Sequence, residues 1–154
     1  MSSQNNDIQE GFKMTELGPL PEDWGAKKLE DIASFTSKPR ELDISSCEAV
    51  PFIPMEAISN DGSGHFRYYI KPGRNISSGV YCERGDLLLA KITPCLENGK
   101  QCLISLDDLP NSFAYTTTEV YPLRINQNIA DSLFVFYYLL YPPVRRDLAT
   151  KMEG

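Results

Sequence analysis

Apolar and polar positions change period along this chain, dividing it into a strand-rich middle and a helical end. Val50-Pro51-Phe52-Ile53-Pro54 reads as a strand with prolines at its edges, followed by a short helical turn over residues 55–58. Residues 66–70 form the next predicted strand, turned by Lys71-Pro72-Gly73-Arg74. Residues 86–92 and 101–106 predict two strands joined by a polar loop, and residues 114–125 predict another. Ser59-Asn60-Asp61-Gly62-Ser63-Gly64 is the clearest loop signal in the chain. Later the period lengthens. Leu133, Phe136, Tyr137, Leu140 and Tyr141 carry the i, i+3, i+4, i+7, i+8 spacing of a buried helix face. Asn128 or Asp131 is placed to cap that helix, and Pro142-Pro143 to stop it. Val144, Leu148 and Met152 recur at i, i+4, i+8, with Pro143 where a second helix would begin.

The beginning is less regular. Residues 1–10 are polar and read as a mobile tail. Pro19 and Pro21 hold an extended lead-in to Trp24, the only tryptophan, which is expected in the core. Leu29, Ile32 and Ala33 share one face of a short helix over residues 27–33, residues 34–37 continue as a strand, and residues 38–48 are rich in turns. With strands in the middle and helices at the end, the expected class is α+β. The expectation is a small mixed or antiparallel β-sheet domain with short helices and a C-terminal helical segment. Its organisation is read as a tail over residues 1–18 and one domain over residues 19–154.

Composition changes this picture little. A chain of 154 residues, 42% hydrophobic and 23% charged, fits one soluble domain able to bury a core. No apolar stretch reaches the roughly 20 residues of a membrane span. The first residues lack the basic-then-apolar layout of a signal peptide, so a cytoplasmic protein without a membrane partner is expected. Cys47, Cys82, Cys95 and Cys102 contain no Cys-x-x-Cys pair, and His65 is the only histidine. Buried or half-buried thiols are therefore expected, with no metal and no cofactor.

Charge matters more. The net charge of −6 is the wrong sign for a phosphate-binding surface, but it is unevenly spread. Residues 1–59 carry 5 basic and 11 acidic groups, residues 60–104 carry 6 and 4, and residues 105–154 carry 4 and 6. Only the middle third is positive.

That third contains Gly85-Asp-Leu-Leu-Leu-Ala-Lys-Ile-Thr-Pro-Cys-Leu-Glu-Asn-Gly-Lys100, an apolar run entering a tight polar loop. Thr116-Thr117-Thr118-Glu119-Val120 and Tyr121-Pro122-Leu123-Arg124 follow it. The pairing of these blocks resembles the target recognition domain of the specificity subunit of type I restriction–modification systems. The segment from Phe12 to Trp24 resembles that family's entry segment, and Lys151-Met152-Glu153-Gly154 its Met-x-Gly stretch before a long spacer helix. The resemblance implies a DNA-reading module, not an enzyme. Its partners would be double-stranded DNA, the methyltransferase (M) subunits that carry the methyl donor, and the restriction (R) subunit in the assembled complex. It would read one half of a bipartite target, and the chain would end just before the spacer helix. With its acidic balance, an isolated domain should bind DNA weakly.

Duplex sequence is read at base edges by Arg, Lys, Asn, Gln, Ser and Thr, while Lys, Arg and backbone N–H groups hold phosphates. The signature loop offers Lys91, Thr93, Asn98 and Lys100 for these tasks, although Pro94, Asn98 and Gly99 equally suit a turn that is only scaffold. A block shared by proteins that read different sequences is a poor place for specificity. Base readout is therefore expected first over residues 59–74, where Asn60, Ser63, His65, Arg67, Tyr68, Lys71 and Arg74 interleave polar, basic and aromatic groups with glycines. A solvated hairpin with inward tyrosines is the plain alternative. Lys38 and Arg40 form a third candidate. The threonine run reads as mainly structural, with Tyr115 and Thr116 at a DNA-facing end.

Catalytic readings fare worse. Tyr141-Pro142-Pro143-Val144 has the two prolines of an amino-methyltransferase motif but neither its polar first residue nor its aromatic last one. No Gly-x-Gly loop follows a strand to hold a methyl donor. His65, in a flexible glycine loop, is poorly placed for preorganised chemistry. The competing class is a protein–protein interaction module using its acidic ends and the aromatic surface around Phe134, Tyr138 and Tyr141. A small hydrolase or metal enzyme ranks last.

Overall fold

The computed structural model describes residues 7–92, 95–96, 98–105 and 109–152. The chain divides into two units, Met1–Ile32 and Ala33–Gly154. In the first, strands β1 (Phe12–Thr15) and β2 (Gly18–Pro21) form an antiparallel hairpin, and a single helical turn, α1 (Leu29–Ile32), ends the unit. The lead-in predicted around Pro19 and Pro21 is thus a paired strand. Trp24, expected in the core, is 49% exposed.

The second unit holds two four-stranded sheets. One has the order β3 (Ala33–Phe35), β10 (Val120–Ile125), β7 (Leu87–Ala90), β8 (Gln101–Leu103), antiparallel throughout. The other has the order β5 (Tyr69–Lys71), β4 (Val50–Ile53), β9 (Phe113–Thr116), β6 (Val80–Glu83). Its β4–β9 pair is parallel and the rest antiparallel. The expected α+β class with mixed and antiparallel sheets is borne out.

Side chains alternate across each strand, so each sheet presents two faces. Ile53, Cys82 and Ala114 from one sheet meet Leu88, Cys102 and Val120 from the other in one buried cluster, which places the main core between the sheets. The opposite faces of β4, β6 and β9 send Val50, Phe52, Tyr81 and Tyr115 into a second cluster under Leu42, Ile44 and Ile76. All four residues of β4 and of β7 are buried, which explains why these strands read as continuous apolar runs. Pro51 does not confine β4 to an edge. Pairing with β9 begins at Phe52, one residue past Pro51, so that ladder never needs the missing N–H.

The long strand predicted over residues 114–125 is two strands in different sheets. Thr117–Glu119 carry the chain across: the Val120 N–H donates to the Thr117 carbonyl, and Glu119 N–H to Thr117 Oγ1. Strand β6 was not expected. Cys82 and Cys102 are buried, Cys47 and Cys95 half-buried.

Helices α2 (Ser132–Leu140) and α3 (Pro142–Met152) end the unit. Asp131 caps α2, its Oδ1 accepting from the Leu133 and Phe134 N–H groups at 2.8 and 3.2 Å, an arrangement worth about 1 kcal/mol. The buried face of α2 is Ser132, Val135, Phe136 and Leu139, not the predicted stripe. Only Phe136 is common to both, while Leu133, Tyr137 and Tyr141 are exposed. Because α2 is apolar on nearly every side, spacing alone could not choose its inner face. Among the described residues no helix is long and apolar enough to cross a membrane.

Candidate nucleic-acid interface

The glycine loop is held at its neck. Ile58 and Phe66 form an isolated bridge, the Ser59 N–H donates to the His65 carbonyl at 2.8 Å, and the Arg67 N–H donates to that of Ala57 at 3.0 Å. Inside it, Asp61 Oδ1 accepts from the Ser63 N–H at 2.9 Å, and Ser63 Oγ accepts from the His65 N–H at 3.3 Å. Hydrogen bonds from the Ser63 side chain and backbone hold the Asp61 carboxyl below its ordinary range. The loop is therefore an ordered Asx-type turn.

The signature loop folds back on itself through Leu96 N–H to Ile92 O, Gly99 N–H to Leu96 O and Lys100 N–H to Cys95 O, each 3.0 or 3.1 Å, with Leu96 buried beneath. Gly99 has φ +77°, and a Cβ there would sit 3.2 Å from Leu140 Cδ2 and 3.7 Å from Gly62 Cα. The two predicted loops, almost forty residues apart in sequence, thus touch each other on the end of α2. Between them and the start of α3 lies a cavity of about 640 Å³ whose lining includes Asp61, Gly62, Asn98, Gly99, Arg145 and Arg146.

The other predicted residues are distributed unevenly. Asn60, Ser63, His65, Arg67 and Tyr68 are solvent-facing on the glycine loop and the segment after it, and Asn98 is exposed. Lys91 lies with its ammonium 4.7 Å from the centre of the Tyr121 ring. Lys71 covers the Phe52 ring at 4.1 Å, and Arg74 pairs with Glu48 at 3.3 Å, so both are engaged away from the cavity. Lys38 curls onto its own loop, donating to the Leu42 carbonyl at 2.6 Å, with Arg40 exposed beside it.

Two expectations need correction. Lys100 is only 8% exposed and donates to the Met55 carbonyl at 3.2 Å; it braces the short turn after β4 instead of facing a phosphate. Thr116 is fully buried, its Oγ1 donating to the Ile53 carbonyl at 2.8 Å, and Tyr115 is buried with it. Both belong to the parallel β4–β9 pair, whose inner position leaves no side chain for a groove. Thr93 lies outside the described residues.

Sequence reasoning missed Arg145. It is buried, its Nη2 donates to the Gln101 Oε1, and Gln101 in turn donates to the Phe136 carbonyl at 2.8 Å. Burial lowers the guanidinium pKa. The only sequence hint was an arginine beside Val144, on the face predicted to be apolar.

The chain is 31% identical over 137 residues to the type I restriction enzyme EcoAI specificity subunit of Escherichia coli, covering 88% of this chain and 22% of that protein. The chain is a relative of the type I specificity subunits. A second specificity subunit from Escherichia coli, that of the EcoEI enzyme, is 33% identical over 122 residues, covering 79% of this chain and 19% of that one. The chain thus spans about a fifth of the length of the specificity subunits it matches. No family model matches it. Its fold is similar to the HsdS subunit from Thermoanaerobacter tengcongensis, with a TM-score of 0.54 at 18% identity, covering 91% of this chain and 32% of that one. It is also similar to a chain solved for the complex assembly and conformational transition of a type I R-M system, with a TM-score of 0.54 at 16% identity, covering 74% and 30%. The resemblance to a specificity-subunit recognition domain, read from the sequence blocks, is borne out by these relatives.

Proposed function

We propose that this chain is a DNA target recognition domain: a non-catalytic module that reads one half of a bipartite duplex site for a type I restriction–modification complex. The observation that carries this reading is the 31% identity to a specificity subunit across 88% of the chain. The domain would comprise residues 19–154, preceded by residues 1–18, of which Phe12–Thr15 pairs with Gly18–Pro21. Base contacts come from Asn60, Ser63, His65, Arg67 and Tyr68 on the glycine loop and from Asn98 beside it, with Lys91 at the backbone. Loops held by their own hydrogen bonds present such groups with little ordering cost. The domain works in the cytoplasm, placing M subunits, and through them the R subunit, on the site.

The test is selection from a randomised duplex pool, with the chain alone and with cognate M subunits, at low and moderate salt. Enrichment of one short motif, stronger with the M subunits and weaker with salt, is expected. No enrichment in their presence overturns the reading. A second reading, a protein-binding module without DNA readout, is favoured by the exposed Leu133, Phe134, Tyr137, Tyr138 and Tyr141 on α2 and just after it. It predicts partner capture that persists at high salt.

A further inference from the structure

Arg145, in the lining of the cavity between the two loops, has donors that no described residue pairs. Arg145 is 5% exposed, and two of its donors, Nε and Nη1, have no hydrogen-bond acceptor among the described residues. Buried donors left unpaired are rare, and a buried guanidinium is normally matched by an anion. The acid that shares the lining, Asp61, makes no ion pair with Arg145 among the described residues, and its Oδ1 is taken by the Ser63 N–H. Arg146, exposed, adds a second positive charge, so the charged groups among the described lining residues sum to +1. The helix start contributes little, since α3 opens with Pro142 and Pro143, which have no N–H. Gly62 and Gly99 meet without side chains on the cavity wall, so no Cβ narrows it there.

We infer that this cavity is a phosphate-binding site in which Arg145 is the principal ligand, Arg146 the charge at its mouth and the Asn98 amide a further polar contact. The planar fork of arginine matches a tetrahedral oxyanion, and a guanidinium already desolvated holds it more tightly than one in water. The inference rests on the DNA reading proposed above, under which the phosphate belongs to the DNA backbone beside the glycine loop. Inorganic phosphate presents the same chemistry from a free source. Filling the site would fix the register of the glycine loop on the duplex, because phosphate contacts position what base contacts then read.

The test follows the arginine Nε–Hε resonances of the ¹⁵N-labelled chain during titration with inorganic phosphate against chloride, and separately with a short mixed-sequence duplex. A saturable shift of the Arg145 signal with both probes is expected. Arg145→Gln should remove the response and weaken duplex binding about tenfold. Because that variant also loses the bond to Gln101, Arg146→Gln and Asp61→Asn serve as folded controls of opposite sign: the first weakens phosphate binding and the second strengthens it. Duplex binding with no change at Arg145 overturns the site and leaves the DNA reading standing. A saturable response to inorganic phosphate without duplex binding upholds the site for a free phosphate and overturns the DNA reading. No saturable response to either probe overturns the site.

Discussion

Arg124 grips the Asp86 carboxylate with two parallel hydrogen bonds, Nε to Oδ1 and Nη2 to Oδ2, both 3.0 Å long. Asp86 is fully buried, and its Oδ2 also accepts from the Glu83 N–H at 2.7 Å. Arg124 reaches Glu83 at 3.2 Å, and the Tyr81 hydroxyl donates to Glu83 Oε1. The cluster therefore joins β10 of one sheet to β6 of the other. The Asp86 carboxylate beside it raises the pKa of Arg124, and burial followed by the Glu83 contact raises that of Tyr81.

Arg124→Met should accordingly cost about 3 kcal/mol, because it leaves the Asp86 carboxylate buried and without its cation. Urea denaturation measures this. The double variant Arg124→Met with Asp86→Leu should recover much of the loss, and a double variant no more stable than the single one would refute the account.

Gly64 sits at φ +79°, and a Cβ there would lie 2.8 Å from Phe136 Cζ. Gly85, at φ +92°, has open space around it. Gly85→Ala should carry the backbone penalty alone, about 1 kcal/mol, while Gly64→Ala adds a clash for about 2 kcal/mol or more. Equal losses in thermal unfolding would show that Phe136 moves aside freely.

Burial, followed by the charge of Asp86, pushes the Cys82 thiol well above its ordinary range. Since the thiolate is the reactive form, Cys82 should resist alkylation at mildly alkaline pH until the chain unfolds. Cys102, equally buried, should behave alike, while Cys47 and Cys95 react first. Mass spectrometry after timed alkylation would reveal the order, and early labelling at Cys82 would contradict it.

Arg67 and Lys100 should separate binding from folding. The Arg67 side chain is exposed and has no partner among the described residues; Lys100 is turned onto Met55. Arg67→Ala should change stability by less than about 0.5 kcal/mol while lowering the salt slope of duplex binding by about 1. Lys100→Met should do the reverse, costing about 1 kcal/mol with the slope unchanged. Fluorescence anisotropy across a salt series, paired with denaturation curves, reads both.

Where one face of an element was polar, its role was legible in the sequence. Residues 59–64 announced a loop, and Asp131 announced a helix start, because glycine conformations and capping hydrogen bonds are local. What resisted reading was non-local. Nothing within Ala114–Ile125 marks the point at which the chain leaves one sheet for the other, since both halves carry β-favouring residues and both are buried. The inner face of α2 was hidden by aromatics on every side. At the candidate interface, charge counting placed Lys100 with Arg67, although one ammonium is internal. Arg145 was invisible for the converse reason: its importance comes from burial, which a surface-type residue does not advertise.

The ring of Phe136 and the end of Leu140 occupy the space beside Gly64, Gly62 and Gly99. The glycine loop therefore does not travel alone. Under the DNA reading, anyone seeking to retarget the domain by grafting a foreign loop over residues 59–65 would have to transplant the facing positions of α2 as one cassette. A longer or bulkier insert would otherwise be levered off its seat by the helix.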